Sequence, residues 1–341
     1  MGGVNLYTTE LRRLAKRRFV RYLTLAGLLV LVAVAVGMFF TNQKIGPAQI
    51  AEAERVADRD YRQNVAMTEQ YRKECEQAKA AGDTSTDRFP TECADIQPPP
   101  REAFQADWHL PASFDFREEF GRTLTTLTAV LALVAFVGGA SFVGAEWSTG
   151  GMMNLLLWRP QRIRVLLTKL GALLSALFGV TVLTGVFWTA AFWATGSFRG
   201  STAKMTAGVW QSFGLTGLRG LVLILVAGAL GFGLASLGRH TALALGGVLG
   251  VMVVGQFGLG IVLAMAQVRF IESWLLPTYL LAWMDKKVTL QNWDACQASF
   301  TGECQPLTRD ITWQNSSVLL AVGLVVVLGG AIWSMRRRDI T

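Results

Sequence analysis

Six long apolar runs constrain this chain more than any other feature: Tyr22–Phe40, Leu124–Gly144, Val165–Trp193, Leu218–Leu237, Thr241–Gln267 and Val318–Met335. A helix needs roughly 20 apolar residues to cross about 30 Å of hydrocarbon, and the runs are of that order. Composition points the same way, because hydrophobic residues make up 52% of the 341 and charged residues only 16%, too apolar a balance for a soluble domain. The fourth and fifth runs are separated only by Gly238, Arg239 and His240, which leaves room for nothing but a tight turn between antiparallel helices. The expected fold class is therefore all-α, a polytopic membrane protein with six transmembrane helices. With their helical flanks, the spans are placed at 22–40, 119–145, 165–194, 211–237, 241–267 and 318–335.

Orientation follows from Lys and Arg, whose excess in short flanking segments marks the cytoplasmic side. Residues 1–21, read as a basic amphipathic interfacial helix, carry Arg12, Arg13, Lys16, Arg17, Arg18 and Arg21 against Glu10. Arg159, Arg162, Arg164 and Lys169 stand against Glu146 between spans two and three, and the 336–341 tail opens with Arg336, Arg337 and Arg338. An even number of spans puts these segments on one side, so both termini are expected in the cytoplasm. The net charge of +8 is then a topological signal that implies no nucleic acid partner. Cys75, Cys93, Cys296 and Cys304 all fall in segments placed outside, where disulfides persist. Local bridges Cys75–Cys93 and Cys296–Cys304 are the simplest pairing, with the other connectivities open. No CxxC spacing is present and His109 is the one histidine outside, so no metal site is expected. The first run is too long for a signal h-region of about 7–15 residues and reads as a retained anchor.

Two cysteine-bearing segments lie outside. Residues 41–118 are expected to form a small helical extracytoplasmic domain, because Gln49–Ala80 is rich in Ala, Glu, Arg and Gln without Pro or Gly. Its apolar face, Ile50, Val56, Tyr61, Val65, Tyr71 and Cys75, is ragged enough to require a packing neighbour. Residues 268–317 are too apolar for a free loop and too short to cross the bilayer. They read as a re-entrant hairpin broken at Pro277 with Trp274 and Trp283 at headgroup depth, or as packing against the bundle end. Arg219, near the outer end of span four, either snorkels or meets substrate, and with Trp274, Pro277, Tyr279 and Trp283 it marks a possible substrate or exit region.

Catalytic signatures are absent: there is no Walker A loop, HExxH, GxSxG or EF-hand pattern, and two histidines cannot furnish a triad or a cluster. The six apolar runs contain no acidic residue, which disfavours carriers coupled through intramembrane carboxylates. The distinctive stretch is Glu146–Lys169, EWSTGGMMNLLLWRPQRIRVLLTK. Ser148 and Thr149 can start a helix, Met152–Trp158 is apolar but too short to span, and Pro160 ends it. Arg162, Arg164 and Lys169 would anchor the return at the anionic inner leaflet. A short helix lying at 146–164 suits contact with a cytoplasmic partner.

Glu146, Gly150, Pro160, Arg162 and Lys169, set between spans two and three, resemble the E, G, P, R, K pattern of ABC-2 type permeases, the export class of ATP-binding-cassette transporters. The resemblance extends over nearly the whole chain, from the amphipathic start with Leu6, Leu11, Leu14 and Arg17 to the apolar hairpin before span six. Gly151 departs from it, since members often carry a larger residue there. The resemblance implies that 146–164 is a coupling helix, with Glu146 at its entry, Trp147 to Trp158 as docking surface, including Leu155, Leu156 and Leu157, and Pro160 with Arg162 at the exit turn. It further implies a cytoplasmic ATPase subunit dimer carrying ATP and magnesium, a second permease copy, identical or related, and no cofactor or enzymatic activity on this chain. Cargo would be amphipathic or hydrophobic: a drug, lipid or peptide. Gly246 and Gly250 in span five, and Gly228, Gly231, Gly233 and Gly238 in span four, suit a dimer face or packing within one bundle equally well. Arg in excess of Lys, with abundant Ala and Gly, suggests a high-GC bacterial source and hence a bacterial plasma membrane. The competing reading from another class is a membrane-anchored sensor or assembly factor using the disulfide-stapled outer loop.

Overall fold

A computed structural model describes residues 6–82, 89–90, 92–152, 161–292 and 305–337. Among them six helices are long and apolar enough to cross a membrane. In chain order these are α2 (Arg18–Thr41), α4 (Phe116–Ser148), α5 (Arg162–Arg199), α6 (Ala207–Gly238), α7 (Thr241–Met265) and α9 (Trp313–Arg337). They are joined by a short α1 (Leu6–Lys16), a long α3 (Pro47–Ala80) and α8 (Leu276–Asp285). Most spans overrun their apolar runs, because nothing in the flanks stops a helix. α4, for example, starts at Phe116, well before Leu124, on a turn carrying Glu118 and Glu119, where acidic side chains favour the positive end of the helix dipole.

The chain divides into two compact units. The first comprises residues 1–36, 117–192 and 203–341. Its core gathers Leu14 of α1, Ala140, Phe142 and Val143 of α4, Val165, Leu166 and Leu173 of α5, and Phe232 and Ala235 of α6. Glycines let α4 and α6 approach to backbone contact: a Cβ on Gly139 would lie 2.3 Å from the Gly228 carbonyl oxygen, and one on Gly231 2.1 Å from that of Phe136. Gly233 similarly receives Val327 of α9, at 2.6 Å from a Cβ. The span-four glycines thus serve packing inside the bundle, whereas Gly246 and Gly250 of α7 have open space around them. Between α6 and α7 the tight turn forms as expected, with Arg239 in the left-handed region and the His240 ring nitrogen accepting from the Ala242 amide.

α7 contains a π-helical stretch at Val251–Gly258. Within it, Gln256 accepts a hydrogen bond from the Leu276 amide at 2.8 Å and so caps α8. Pro277 does not break a hairpin. It occupies the first turn of α8, where its missing N–H has no partner to lose. The remainder of this connection is an antiparallel ribbon, β3 (Lys287–Asn292) paired with β4 (Leu307–Thr312) in the register Lys287↔Thr312. The ribbon has no counterpart in the sequence reading; Cys296 and Cys304 lie outside the described residues.

The second unit comprises residues 37–116 and 193–202. α3 forms as one continuous helix, opened by Gln49, whose side chain accepts from the Gly46 amide. Cys75 is bonded to Cys93 across 18 residues of chain. The neighbour its ragged face requires is the segment that follows α3: Tyr71 meets Phe89 in a tilted pair, Tyr61 meets Phe104 edge-on, and Arg101 lies over Tyr61 while pairing with Asp58. A short parallel pair, β1 (Phe114–Asp115) with β2 (Gly200–Ser201), is possible only because position 200 is glycine, whose Cβ would fall 1.9 Å from the Phe114 carbonyl oxygen.

Candidate functional site

The site grows from three helix faces of the first unit. On α5, Val165, Leu166, Ala172 and Leu173 form a buried stripe of helical period, and Lys169 sits in its centre with a side chain wholly excluded from solvent. On α1, Glu10 and Leu14, one turn apart, are the buried residues of an otherwise exposed amphipathic helix. On α4, Glu146 follows Phe142 and Val143 on the buried face. Packing the three faces together brings buried charges within hydrogen-bonding distance.

Lys169 Nζ donates to Glu10 Oε2 at 2.6 Å and lies 2.7 Å from Glu146 Oε2. The other oxygen of Glu146 accepts from Arg17 Nη2 at 2.8 Å, and Arg17 Nη1 donates to the Ser141 carbonyl at 3.0 Å. Arg13 closes the outer end at 3.3 Å from Glu10. Two carboxylates and two ammonium or guanidinium groups therefore alternate as Glu10, Lys169, Glu146, Arg17. Phe142 floors the cluster: the Arg17 guanidinium and the Lys169 ammonium each lie 5.2 Å from its ring centroid, in reach of cation–π attraction. Burial of four charges is tolerated because each has an opposite partner at short range.

The expected coupling residues take unequal places. Glu146 and Lys169 meet directly. Lys169 cannot anchor at a lipid surface, since it is fully buried; the apolar stripe around it turns it inward. Ser148 and Thr149 do not open a helix: their hydroxyls donate back to the Ala145 carbonyl at 3.1 and 2.8 Å and close the last turn of α4. Gly150, at φ +73°, then breaks the helix, a conformation natural to glycine. Trp147 packs against the core with the Arg239 guanidinium 5.0 Å above its ring. Arg162 begins α5. Leu155, Leu156, Leu157, Trp158 and Pro160 lie outside the described residues.

Sequence reasoning missed Glu10 and Arg17 as partners of this site. The signal was present in the helical spacing, with Glu10 on the same face as Leu14 and Lys169 in phase with Val165, Leu166 and Leu173.

Of the other candidate set, Trp283 Nε1 donates to the Arg219 carbonyl at 2.9 Å, tying α8 to α6. Tyr279 donates through its hydroxyl to the Ser273 carbonyl at 3.0 Å, and Trp274 is exposed. The Arg219 guanidinium lies 5.8 Å from the Trp313 ring. Arg219, Tyr279 and Trp283 thus brace the α6, α8 and α9 ends through backbone and ring contacts.

Residues 5–339 match the sequence profile of the family described as ABC-2 family transporter protein. No curated protein and no solved structure matches the chain.

Proposed function

This chain belongs to the ABC-2 family of transporter proteins, and on that premise we propose that it is the permease subunit of an exporter driven by a separate cytoplasmic ATPase dimer. The family is the membrane-spanning component of ABC transporters and generally works with a partner ATPase. ATP and magnesium would bind on that partner, and a second permease copy would complete the assembly. Both termini and the Glu146–Lys169 segment would face the cytoplasm of a bacterial plasma membrane.

The observation that carries this reading is the buried ionic cluster. A segment that receives a push must transmit it to spans, and a soft junction would dissipate the displacement. Here the two ends of the segment, Glu146 leaving α4 and Lys169 entering α5, are bonded to each other and to α1 through Glu10. Arg17, at the α1–α2 junction, extends the same linkage toward α2. Displacement of the segment would therefore move α1, α4 and α5 as one body. Cargo remains amphipathic or hydrophobic in this reading, consistent with apolar runs free of acidic residues and the exposed aromatic Trp274.

The test is co-purification of the full-length chain with the ATPase encoded beside it. Charged replacements of Leu155, Leu156 and Leu157 are expected to abolish the complex while leaving the permease folded. Undiminished ATPase binding by those variants would refute the docking role. Lys169→Met is expected to retain the ATPase but to lose stimulation of its hydrolysis by cargo, separating docking from transmission.

A further inference from the structure

We infer that a lateral cleft in the first unit binds one acyl chain of a bilayer phospholipid, with the lipid's anionic headgroup on Arg21. The cleft has a volume of about 610 Å³, within the roughly 300–1,000 Å³ typical of ligand pockets. α1 and α2 form one wall, α4 and α5 the other, and Ile224 of α6 the back. Along α5 it runs from Leu173 to Thr181, about 12 Å at 1.5 Å per residue. That depth is close to one leaflet of a hydrocarbon core roughly 30 Å thick.

Space opens there because short side chains stand where bulky ones would close it. A Cβ on Gly138 would meet only Leu23, at 4.0 Å, and Ala176 faces the same gap. The remaining walls are almost wholly apolar, with Thr24 and Thr181 the small exceptions. Water in such a cleft would find few polar partners, whereas an alkyl chain is matched to it.

Charge is confined to one place. Arg21 Nε donates to the Ala15 carbonyl at 2.6 Å, which holds the guanidinium at the α1–α2 junction. Its terminal nitrogens have no acceptor among the described residues, unlike Arg13 and Arg17, which are engaged by Glu10 and Glu146. An apolar slot one leaflet deep with a single available guanidinium at its edge selects a ligand with a long alkyl tail and an anionic head. Arginine meets phosphate oxygens through paired, charge-assisted hydrogen bonds, and the lipid that surrounds a membrane-spanning bundle supplies that chemistry. The bound chain would fill the gap between α1–α2 and α4–α5 and so act as a wedge beside the ionic cluster. The site needs neither ATPase nor cargo, and its test is independent of the transporter reading.

The experiment reconstitutes the full chain in nanodiscs of equal phosphatidylglycerol and phosphatidylcholine, extracts it in mild detergent and identifies retained lipid by native mass spectrometry. The expected result is one retained phospholipid per chain with phosphatidylglycerol favoured several-fold, because both lipids offer phosphate oxygens to Arg21 but the choline ammonium of phosphatidylcholine offsets the charge that the guanidinium meets. Arg21→Gln should retain lipid without that preference, and Arg21→Lys should keep most of it. Ala176→Phe should displace lipid of both kinds, and Thr181→Phe, at the other end of the cleft, provides the same test if Ala176→Phe does not fold. Retention unchanged by the filling substitutions, or a headgroup preference unchanged in Arg21→Gln, would overturn the assignment.

Discussion

Replacing Lys169 with methionine removes a charge while keeping an unbranched side chain of similar length, so the change isolates the ionic cluster from packing. In the native protein the Lys169 ammonium is fully buried between Glu10, at 2.6 Å, and Glu146, at 2.7 Å. Without it Glu146 keeps Arg17 at 2.8 Å. Glu10, also fully buried, keeps only Arg13, whose side chain is 51% exposed, a pair of the kind worth less than about 1 kcal/mol. The uncompensated charge is therefore Glu10, and breaking a buried pair in this way costs about 3–5 kcal/mol. Glu10→Gln alone leaves Lys169 paired with Glu146 and retains an acceptor near the ammonium, so its cost should be nearer 1–3 kcal/mol, that of one charged hydrogen bond. The combination Lys169→Met with Glu10→Gln removes both members of the pair. It should recover about 2 kcal/mol or more of the damage caused by Lys169→Met. Equilibrium unfolding in mixed micelles, followed by tryptophan fluorescence, measures all three variants on one scale. The reasoning is refuted if Lys169→Met costs less than about 1 kcal/mol, or if the double variant costs the sum of the singles.

Other expectations concern separate parts of the molecule. Gly231→Ala should sharply lower the yield of folded protein in a detergent-extraction assay, because its Cβ would fall 2.1 Å from the Phe136 carbonyl oxygen, while Gly250→Ala, with open space around it, should extract like wild type. Cys75→Ser opens a loop closed across 18 residues, and loop entropy alone predicts about 3 kcal/mol lost from the unit containing α3, to be read as accelerated hydrogen exchange in α3. On the β3–β4 ribbon, hydrogen bonds from Lys287 and then Thr289 hold the Asp310 carboxyl below its ordinary value of 3.8. A lowered folded value means that the contribution to stability is complete above the ordinary value and is lost as pH falls through the folded one. Ribbon exchange, corrected for its intrinsic pH dependence, should thus be steady from neutrality to about pH 5 and rise only in stronger acid. Asp310→Asn should remove that acid response, and an unchanged response would show that another group governs the ribbon.

Helical spans are legible in a linear sequence because the requirement of the bilayer is local: a run of apolar residues long enough to cross, with every backbone polar group satisfied within its own helix. The six runs beginning at Tyr22, Leu124, Val165, Leu218, Thr241 and Val318 accordingly correspond to six long helices. The Cys75–Cys93 bond was accessible for a similar reason, since nearby cysteines meet easily, and the family pattern around Glu146 was carried by a short stretch of residues. Tertiary structure decided the rest. Composition cannot distinguish a lysine that reaches lipid headgroups from one that bonds a glutamate 159 residues away, because the two differ only in which faces of α1, α4 and α5 come together. Nor can spacing tell a glycine that admits a neighbouring backbone from one in open space, as Gly231 and Gly250 illustrate. Hydropathy is a property of single helices, but the ionic cluster, the α4–α6 contact and the cleft beside Arg21 are properties of helix pairs. Their geometry is set by close packing between residues far apart in the chain.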